Sequence, residues 1–427
     1  MADIQPFRAF RYNLGRVGKL SDVVAPPYDV IDDAFRARLV AQHPNNVVNI
    51  DLPVGEDRYA RAGQLFKDWC RDGVVTQDSA RGFYVYHQDF QVDGQKHTRK
   101  GLLARIRLEP FSKLIVQPHE ETFAGPKLDR LRLMEATAAN LSPVFGLFPD
   151  DTHEVQNLLD AAVGRQPPFE ATDHLGVVSR LWPVTDQPVL TKVTGLLGPK
   201  PVLIADGHHR YETCLTYRDQ MLGAKAQQTG DEPCRFGLMM LVGMSDAGLV
   251  VQPTHRLIRG CGPINSDELG RRLQAHFDLI AVGRGDAGGR TAWERSSIEF
   301  GQGSLAFGIQ DGTWILAKPR DLSAMAELAP EHTDDWRRLS VSVLHRLVIG
   351  RLFSDCEKTF QYEYVHLLDE ALVSQRTKRC DLSVLVPAAS VADVAKLANR
   401  GEKMPQKSTY FYPKLLTGLV FNPLSSN

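Results

Sequence analysis

Apolar positions along this chain follow two periods, and the places where one gives way to the other define the predicted elements. Short apolar runs bounded by Gly, Pro, Asn or Asp predict strands at 47–52, 83–86, 101–108, 114–116, 144–148, 177–182, 201–205, 236–242, 313–317 and 382–386. Spacings of three and four predict helices at 60–72, with Leu65 and Trp69 on one face, and at 154–163, 266–277, 336–353 and 391–400. A helix at 128–141 is expected to turn Leu128, Leu131, Met134 and Ala138 inward, and one at 210–221 to carry Tyr211, Leu215 and Arg218 on one side. Val92-Asp93-Gly94-Gln95 is a hairpin turn signal. Residues 150–200 read as peripheral, and 224–233 as a polar loop. Strands and helices interleave, which places the chain in the α/β (α+β) class.

One switch of period carries chemistry. The apolar run that ends at Ala205 passes through Asp206-Gly207 and His208-His209 into the helical pattern that begins at Arg210-Tyr211. Gly permits a positive φ and close backbone approach. The first amides of a helix lack intrahelical partners and attract anions. Two histidines and an arginine add cationic donors, and Arg210 can grip a phosphate with two parallel bonds. Asp206 suits a metal ion or a hydroxyl better than a phosphate. The alternative is an ordinary turn with packed histidines.

Other clusters are polar in the same way. Ala25-Pro26-Pro27-Tyr28-Asp29 is stiffened by two prolines. It is either a rigid connector or a wall that presents Tyr28 and Asp29 to a pocket. Pro118-His119-Glu120-Glu121-Thr122 precedes Lys127 and Arg130. It is either a solvated helix entry or a site with Glu120 as general base and the two cations as supports. It is not a zinc motif, since position 123 is Phe and H-E-x-x-H is absent. His255-Arg256 ends a strand-like run. In the tail, Lys407 to Lys414 either close a phosphate site or form an edge strand with solvated lysines.

Composition narrows the function classes. Across 427 residues the chain is 43% apolar and 24% charged, as for a globular protein of two or three domains. A net charge of −1 exerts no pull toward nucleic acid or an anionic membrane, so neither is expected as a partner. Six scattered cysteines with no C-x-x-C pair argue against a disulfide framework or zinc knuckle and fit a reducing cytoplasm. Met-Ala-Asp-Ile-Gln-Pro does not read as a signal peptide, and no apolar run approaches the ~18 residues of a membrane span. Homo-oligomerisation is left open.

The motifs at 25–30, 118–122, 205–211, 253–256 and 410–414, in this order, resemble the bacterial and archaeal DUF1015 family over nearly the whole chain. In addition, Pro118-His119-Glu120 with Leu203 to Arg210 is similar to the P-H-E and V-D-G-H-H-R motifs of free serine kinases of the ParB/sulfiredoxin fold. That resemblance implies a ParB/sulfiredoxin-like core with large N- and C-terminal additions. Its regions would be an N-terminal α/β region at 1–110, the phosphate-binding core at 111–260 and a C-terminal α/β region at 261–427. It implies phosphoryl transfer from ATP, ADP or pyrophosphate to a small hydroxyl substrate, free L-serine foremost. Glu120, Asp206 and His209 would be catalytic, and Asp206 would place Mg²⁺. Gly207, His208, His209, Arg210, Lys127, Arg130, His255 and Arg256 would bind phosphate or nucleotide. Tyr28, Asp29, His119 and Thr122 would face the substrate. Sulfiredoxin carries a reactive cysteine where His208 stands, which argues against sulfinic acid reduction. The alternative is a nucleotide-binding regulator of the ParB-like class that does not transfer phosphate.

Overall fold

The computed structural model describes residues 1–122, 124–164, 166–223 and 228–425, and of 124–126 only the backbone. Part of the polar loop expected at 224–233 therefore lies outside the described residues. The chain forms a mixed α/β structure with two compact units. The first comprises Met1–Pro118, Thr122–Val250 and Pro413–Asn427, and the second His119–Glu121 and Val251–Tyr412. Contacts thus do not follow the three consecutive regions at 1–110, 111–260 and 261–427, because strands from the first two stretches share one sheet. No helix among the described residues is long and apolar enough to cross a membrane.

The first unit is built on a nine-stranded mixed sheet. Its order is Val116–Gln117, Val202–Asp206, Val144–Phe148, Phe236–Gly243, Gln95–Arg107, Phe83–Val92, Val178–Val184 and Phe169–Thr172, with Ile4–Gln5 beside the end of Gln95–Arg107. The central strands are apolar throughout. Every residue of Val144–Phe148 is buried, as is all of Phe236–Gly243 except the last, because both faces are covered. The hairpin turns at Asp93 and Gly94, both with positive φ, as Asp-Gly predicts.

Residues 150–200 are not peripheral. The helix Glu154–Val163 buries Val155, Leu159 and Val163, and the helix Gln187–Leu197 buries Leu190, Val193 and Leu197 in the main core. The helix Ala124–Thr137 starts and stops earlier than its apolar spacing suggests. Met134 faces inward as expected and Leu131 packs against the core, but Leu128 is 53% exposed and Leu133 is buried in addition. The run at 47–52 is a short helix, Val48–Asp51, and not a strand. The buried Asn46 side chain donates to the carbonyls of Asp22 and Val24 and accepts from the Val48 amide, which turns the chain despite its β-branched residues.

The second unit carries a six-stranded antiparallel sheet. Its order is Phe277–Arg284, Thr313–Pro319, Leu305–Ile309, Leu382–Leu385, His255–Arg259 and Gln361–Val365. The helices Gly285–Glu294 and Leu368–Arg376 supply Ala292, Ala371 and Leu372 to a core around the fully buried Trp314. The expected helix at 266–277 ends at Leu273, and Phe277 opens a strand. The periodicity at 336–353 resolves into helical segments Asp334–Arg337, Ser340–Ser342 and Val343–Leu352.

Candidate active site

The Asp206 turn forms as the sequence predicts, with one addition. Val202–Asp206 pairs with Val144–Phe148 through a register irregularity between Ile204 and Asp206. An extra residue at such a point re-aims the side chains that follow. Gly207 has φ +88, and the sixteen-residue helix His208–Gly223 begins at the next residue. A Cβ at Gly207 would lie 2.9 to 3.0 Å from the Arg210 guanidinium. Glycine is required there both for its conformation and for the space the arginine occupies. Tyr211, Cys214 and Tyr217 anchor the helix in the core, which leaves its first turn at the end of the strand.

Both carboxylate oxygens of Asp206 meet a cation. Lys414 Nζ lies 3.2 Å from one and Arg210 Nη2 3.2 Å from the other. Burial alone raises the pKa of this carboxyl, but the Lys414 and Arg210 charges and His208 outweigh it and hold the group far below the usual carboxylate range. Asp206 remains 22% exposed, so the cluster is open to a ligand. Arg210 also donates to the Pro143 carbonyl and is largely buried. His208 is buried, whereas His209 is partly exposed.

Lys414 is brought to this point by residues that no sequence pattern marked. Arg99 is fully buried, donates to Gln88 and to the Pro413 carbonyl, and lies 4.6 Å over the Phe145 ring. Burial lowers its pKa to about 10, against the opposing charges of Asp246 and Asp206. Gln88 donates to the Lys414 carbonyl at 3.1 Å. Two neighbouring carbonyls of the tail are thereby tied to the sheet. Lys414 belongs to the tail that the sequence offered either as the closure of a phosphate site or as an edge strand, whereas Arg99 reads in the sequence as one more charged residue of a strand.

Tyr28 and Arg130 are close neighbours, with the guanidinium 4.1 Å from the ring centroid. Arg130 donates to the carbonyl and carboxylate of Asp51, at 2.7 and 3.3 Å, and to Asp129. Burial and Asp29 raise the Tyr28 pKa, opposed by Arg210 and Arg130. Arg130 and Arg210 line one cavity of about 40 Å³ with Asp51, Asn140, Ser142 and Thr213, room for water and not for a phosphate. Arg130 is thus committed to Asp51 and Asp129, a missed pair, and supports the fold beside the turn. Asp29 is exposed to solvent beyond Tyr28. Lys127 and Thr122, the expected phosphate and substrate ligands, both engage Glu212, the hydroxyl at 2.7 Å, and so brace the helix from His208.

The remaining residues belong to the second unit. His119 is fully buried, and its Nε2 lies 2.8 Å from Thr409 Oγ1. Its carbonyl accepts from the Met404 amide at 2.7 Å. It anchors the segment. Glu120 is partly exposed, and its carboxylate accepts from the Lys407 amide. His255 is a core residue. Its Nδ1 accepts from the Val386 amide at 3.3 Å, it lies edge-on to Trp293, and burial lowers its pKa to about 3. Arg256 is buried and donates to the carbonyls of Thr254 and Lys407.

The residues do not fit a resident Mg²⁺ at Asp206. Both of its oxygens are in ion pairs, and among the described residues no three His, Cys, Asp or Glu side chains gather as metal ligands. What the turn offers is a set of cations and helix amides matched to an anion.

Several solved structures are similar at low identity. A conserved hypothetical protein from Pyrococcus furiosus aligns with TM-score 0.35 and 16% identity, covering 73% of this chain and 93% of that one. A free serine kinase mutant in complex with ADP aligns with TM-score 0.36 and 15% identity, covering 74% and 92%. SbnI with a C-terminal truncation, from Staphylococcus aureus, aligns with TM-score 0.35 and 13% identity, covering 75% and 87%. No curated protein matches the sequence. The family model described as protein of unknown function (DUF1015) matches residues 4–343, well over half of the sequence, and the chain belongs to that family.

Proposed function

We propose that this protein is a small-molecule phosphotransferase that moves a phosphoryl group from a nucleotide or pyrophosphate to a hydroxyl substrate, with free L-serine the first candidate. The observation that carries the reading is the convergence of Lys414 and Arg210 on Asp206 at the glycine turn that opens the helix from His208. Phosphoryl transfer depends on positioning and on neutralising the charge of the transferred group. Arg210, Lys414, partly exposed His209 and the first helix amides supply that charge. Asp206 holds the two cations in register. The resemblance of the motif at 118–122 gives Glu120 the role of base. The acceptor oxygen bonds to phosphorus, the bond from that phosphorus to the donor's bridging oxygen breaks, and the hydroxyl proton passes to the base.

Phosphorus NMR tests this with L-serine and ATP, ADP or pyrophosphate in parallel. A phosphoserine signal with one donor establishes the reaction and names the donor. Glu120→Gln is expected to keep donor binding and lower turnover at least a hundredfold. Unchanged turnover would remove Glu120 from the mechanism. A second reading, a nucleotide-binding regulator without transfer, draws on the double pairing of Asp206, which leaves a cationic anion site without a free carboxylate. It predicts nucleotide binding by calorimetry and no phosphorylated product.

A further inference from the structure

A pocket of about 490 Å³ in the first unit shares no residue with the cluster at Asp206. Its volume falls in the range of small-molecule sites. Arg36 reaches it from the helix Asp33–Gln42, and Arg61 and Asp68 from the helix Arg58–Arg71, while Val54 lies in the link that precedes the second helix. Both arginines are set by backbone bonds. Arg36 Nε donates to the Leu52 carbonyl at 2.7 Å, and Arg61 Nη2 donates to the Val54 carbonyl. The link turns at Gly55, with φ +93, where a Cβ would come within 3.0 Å of Arg61 Nη2. The turn is therefore shaped around that guanidinium, and the two cations hold the link from two different helices.

Two features point to a ligand. Each guanidinium spends one nitrogen on a backbone carbonyl, and among the described residues no carboxylate lies within ion-pair distance of either. Arg58 and Arg71, at the two ends of the same helix as Arg61, both pair with aspartates. The acid on the wall, Asp68, is already matched: it pairs with Arg71 at 2.6 Å and accepts from Gln64 at 3.1 Å. Guanidinium nitrogens of this kind suit a planar oxyanion. The second feature is apolar surface beside the cations. Pro53, Leu65 and Val54 line the same pocket, and Val54 is 48% exposed. The two guanidiniums and Asp68 leave the wall one net positive charge, which suits a monoanion. A phosphate dianion would exceed that charge and would lie near Asp68.

We infer that this pocket binds a small monocarboxylate with a hydrocarbon chain, its carboxylate held by Arg36 and Arg61 and its chain laid on Val54 and Leu65. The inference is independent of the phosphotransferase reading.

Ligand-observed NMR titration of the full chain tests it with hexanoate against acetate, hexylamine and inorganic phosphate. Acetate has the charge without the chain, and hexylamine the chain with the opposite charge. Hexanoate is expected to bind at least tenfold more tightly than any of the three. Arg61→Gln and Val54→Asp alter exposed side chains and are expected to leave the fold intact. Arg61→Gln removes one of the two cations and should weaken hexanoate binding about tenfold. Val54→Asp keeps both arginines and their backbone bonds but sets a carboxylate on the apolar wall, and should weaken it at least as much. Absence of hexanoate binding, equal binding of acetate, hexylamine or phosphate, or an affinity unchanged in either variant overturns the site. In that case the two arginines serve only to hold the link between the helices.

Discussion

Two of the chain's His-Arg pairs, one from each unit, have opposite fates. His209-Arg210 sits in the first turn of a helix, just past a glycine with positive φ. His255-Arg256 opens a strand with a neighbour on each side. In the first setting the histidine is partly exposed, and the arginine, though largely buried, meets a carboxylate at the rim. In the second both side chains are enclosed. The histidine is neutral, and the arginine holds backbone carbonyls. The residue pair is the same, so its chemistry is decided by whether the backbone ends a strand or continues one. A helix start leaves amides and cations facing outward, whereas a central strand sends alternate side chains into one core or the other.

The largest test of this contrast is Arg256→Ala. Removing the guanidinium leaves the Thr254 and Lys407 carbonyls without their buried donor. It should destabilise the protein by roughly 3 kcal/mol in denaturant unfolding. A variant as stable as the parent would show that Arg256 is not a structural strap. Gly207→Ala comes next. The positive φ and the guanidinium beside the new methyl should together cost roughly 2 kcal/mol, and pyrophosphate binding should fall with it. Wild-type stability with wild-type binding would contradict the stated geometry.

Lys414→Met probes the open half alone. With one cation gone from Asp206, affinity for pyrophosphate should drop about tenfold, or about 1.4 kcal/mol, in a titration at fixed ionic strength. An unchanged affinity would place the anion elsewhere.

The smallest effect is a pH slope. His255 titrates near 6.5 when unfolded and is lowered to about 3 when folded. The unfolded chain therefore binds more protons between these values. The stabilisation is fully present above 6.5 and is lost as pH falls toward 3. At pH 5.5 this group should cost roughly 1.4 kcal/mol. His87, lowered to about 4, and His345, lowered to about 3, act in the same direction. His255→Asn can still accept from the Val386 amide and should flatten the melting temperature against pH between 7 and 5 without abolishing the trend. An unaltered slope would mean that His255 is not a buried neutral group.

Local sequence decided the parts of this protein whose cause is local. Asp93-Gly94 turns a hairpin because both residues tolerate a positive φ. At Asp206-Gly207 the glycine alone takes the positive φ, and there the strand ends and the helix opens. The apolar runs at 144–148 and 236–242 are strands because a continuous apolar run of that length fits a sheet covered on both faces. The resemblance carried by the motifs was sufficient to place the chain in its family. Local reasoning failed where distant groups intervened. The run at 47–52 has strand composition, but Asn46 bonds to two carbonyls of the 22–24 segment and forces a turn. Leu128 and Met134 fit one apolar stripe, yet Met134 is buried, with Leu133 beside it, while Leu128 is exposed. The candidate site shows the same division. The helix-start cations were legible, since a helix begins where its own residues permit. Lys414 was legible only as part of a tail that could close a phosphate site; its pairing with Asp206 and the role of Arg99 were not, because only the folded sheet brings the tail against Asp206 and buries an arginine to hold it there. Nor could the sequence show that His119–Glu121 belongs to the compact unit built from 251–412. Backbone bonds from Met404 and Lys407 decide that, and such long-range pairing leaves no mark on the residues that make it.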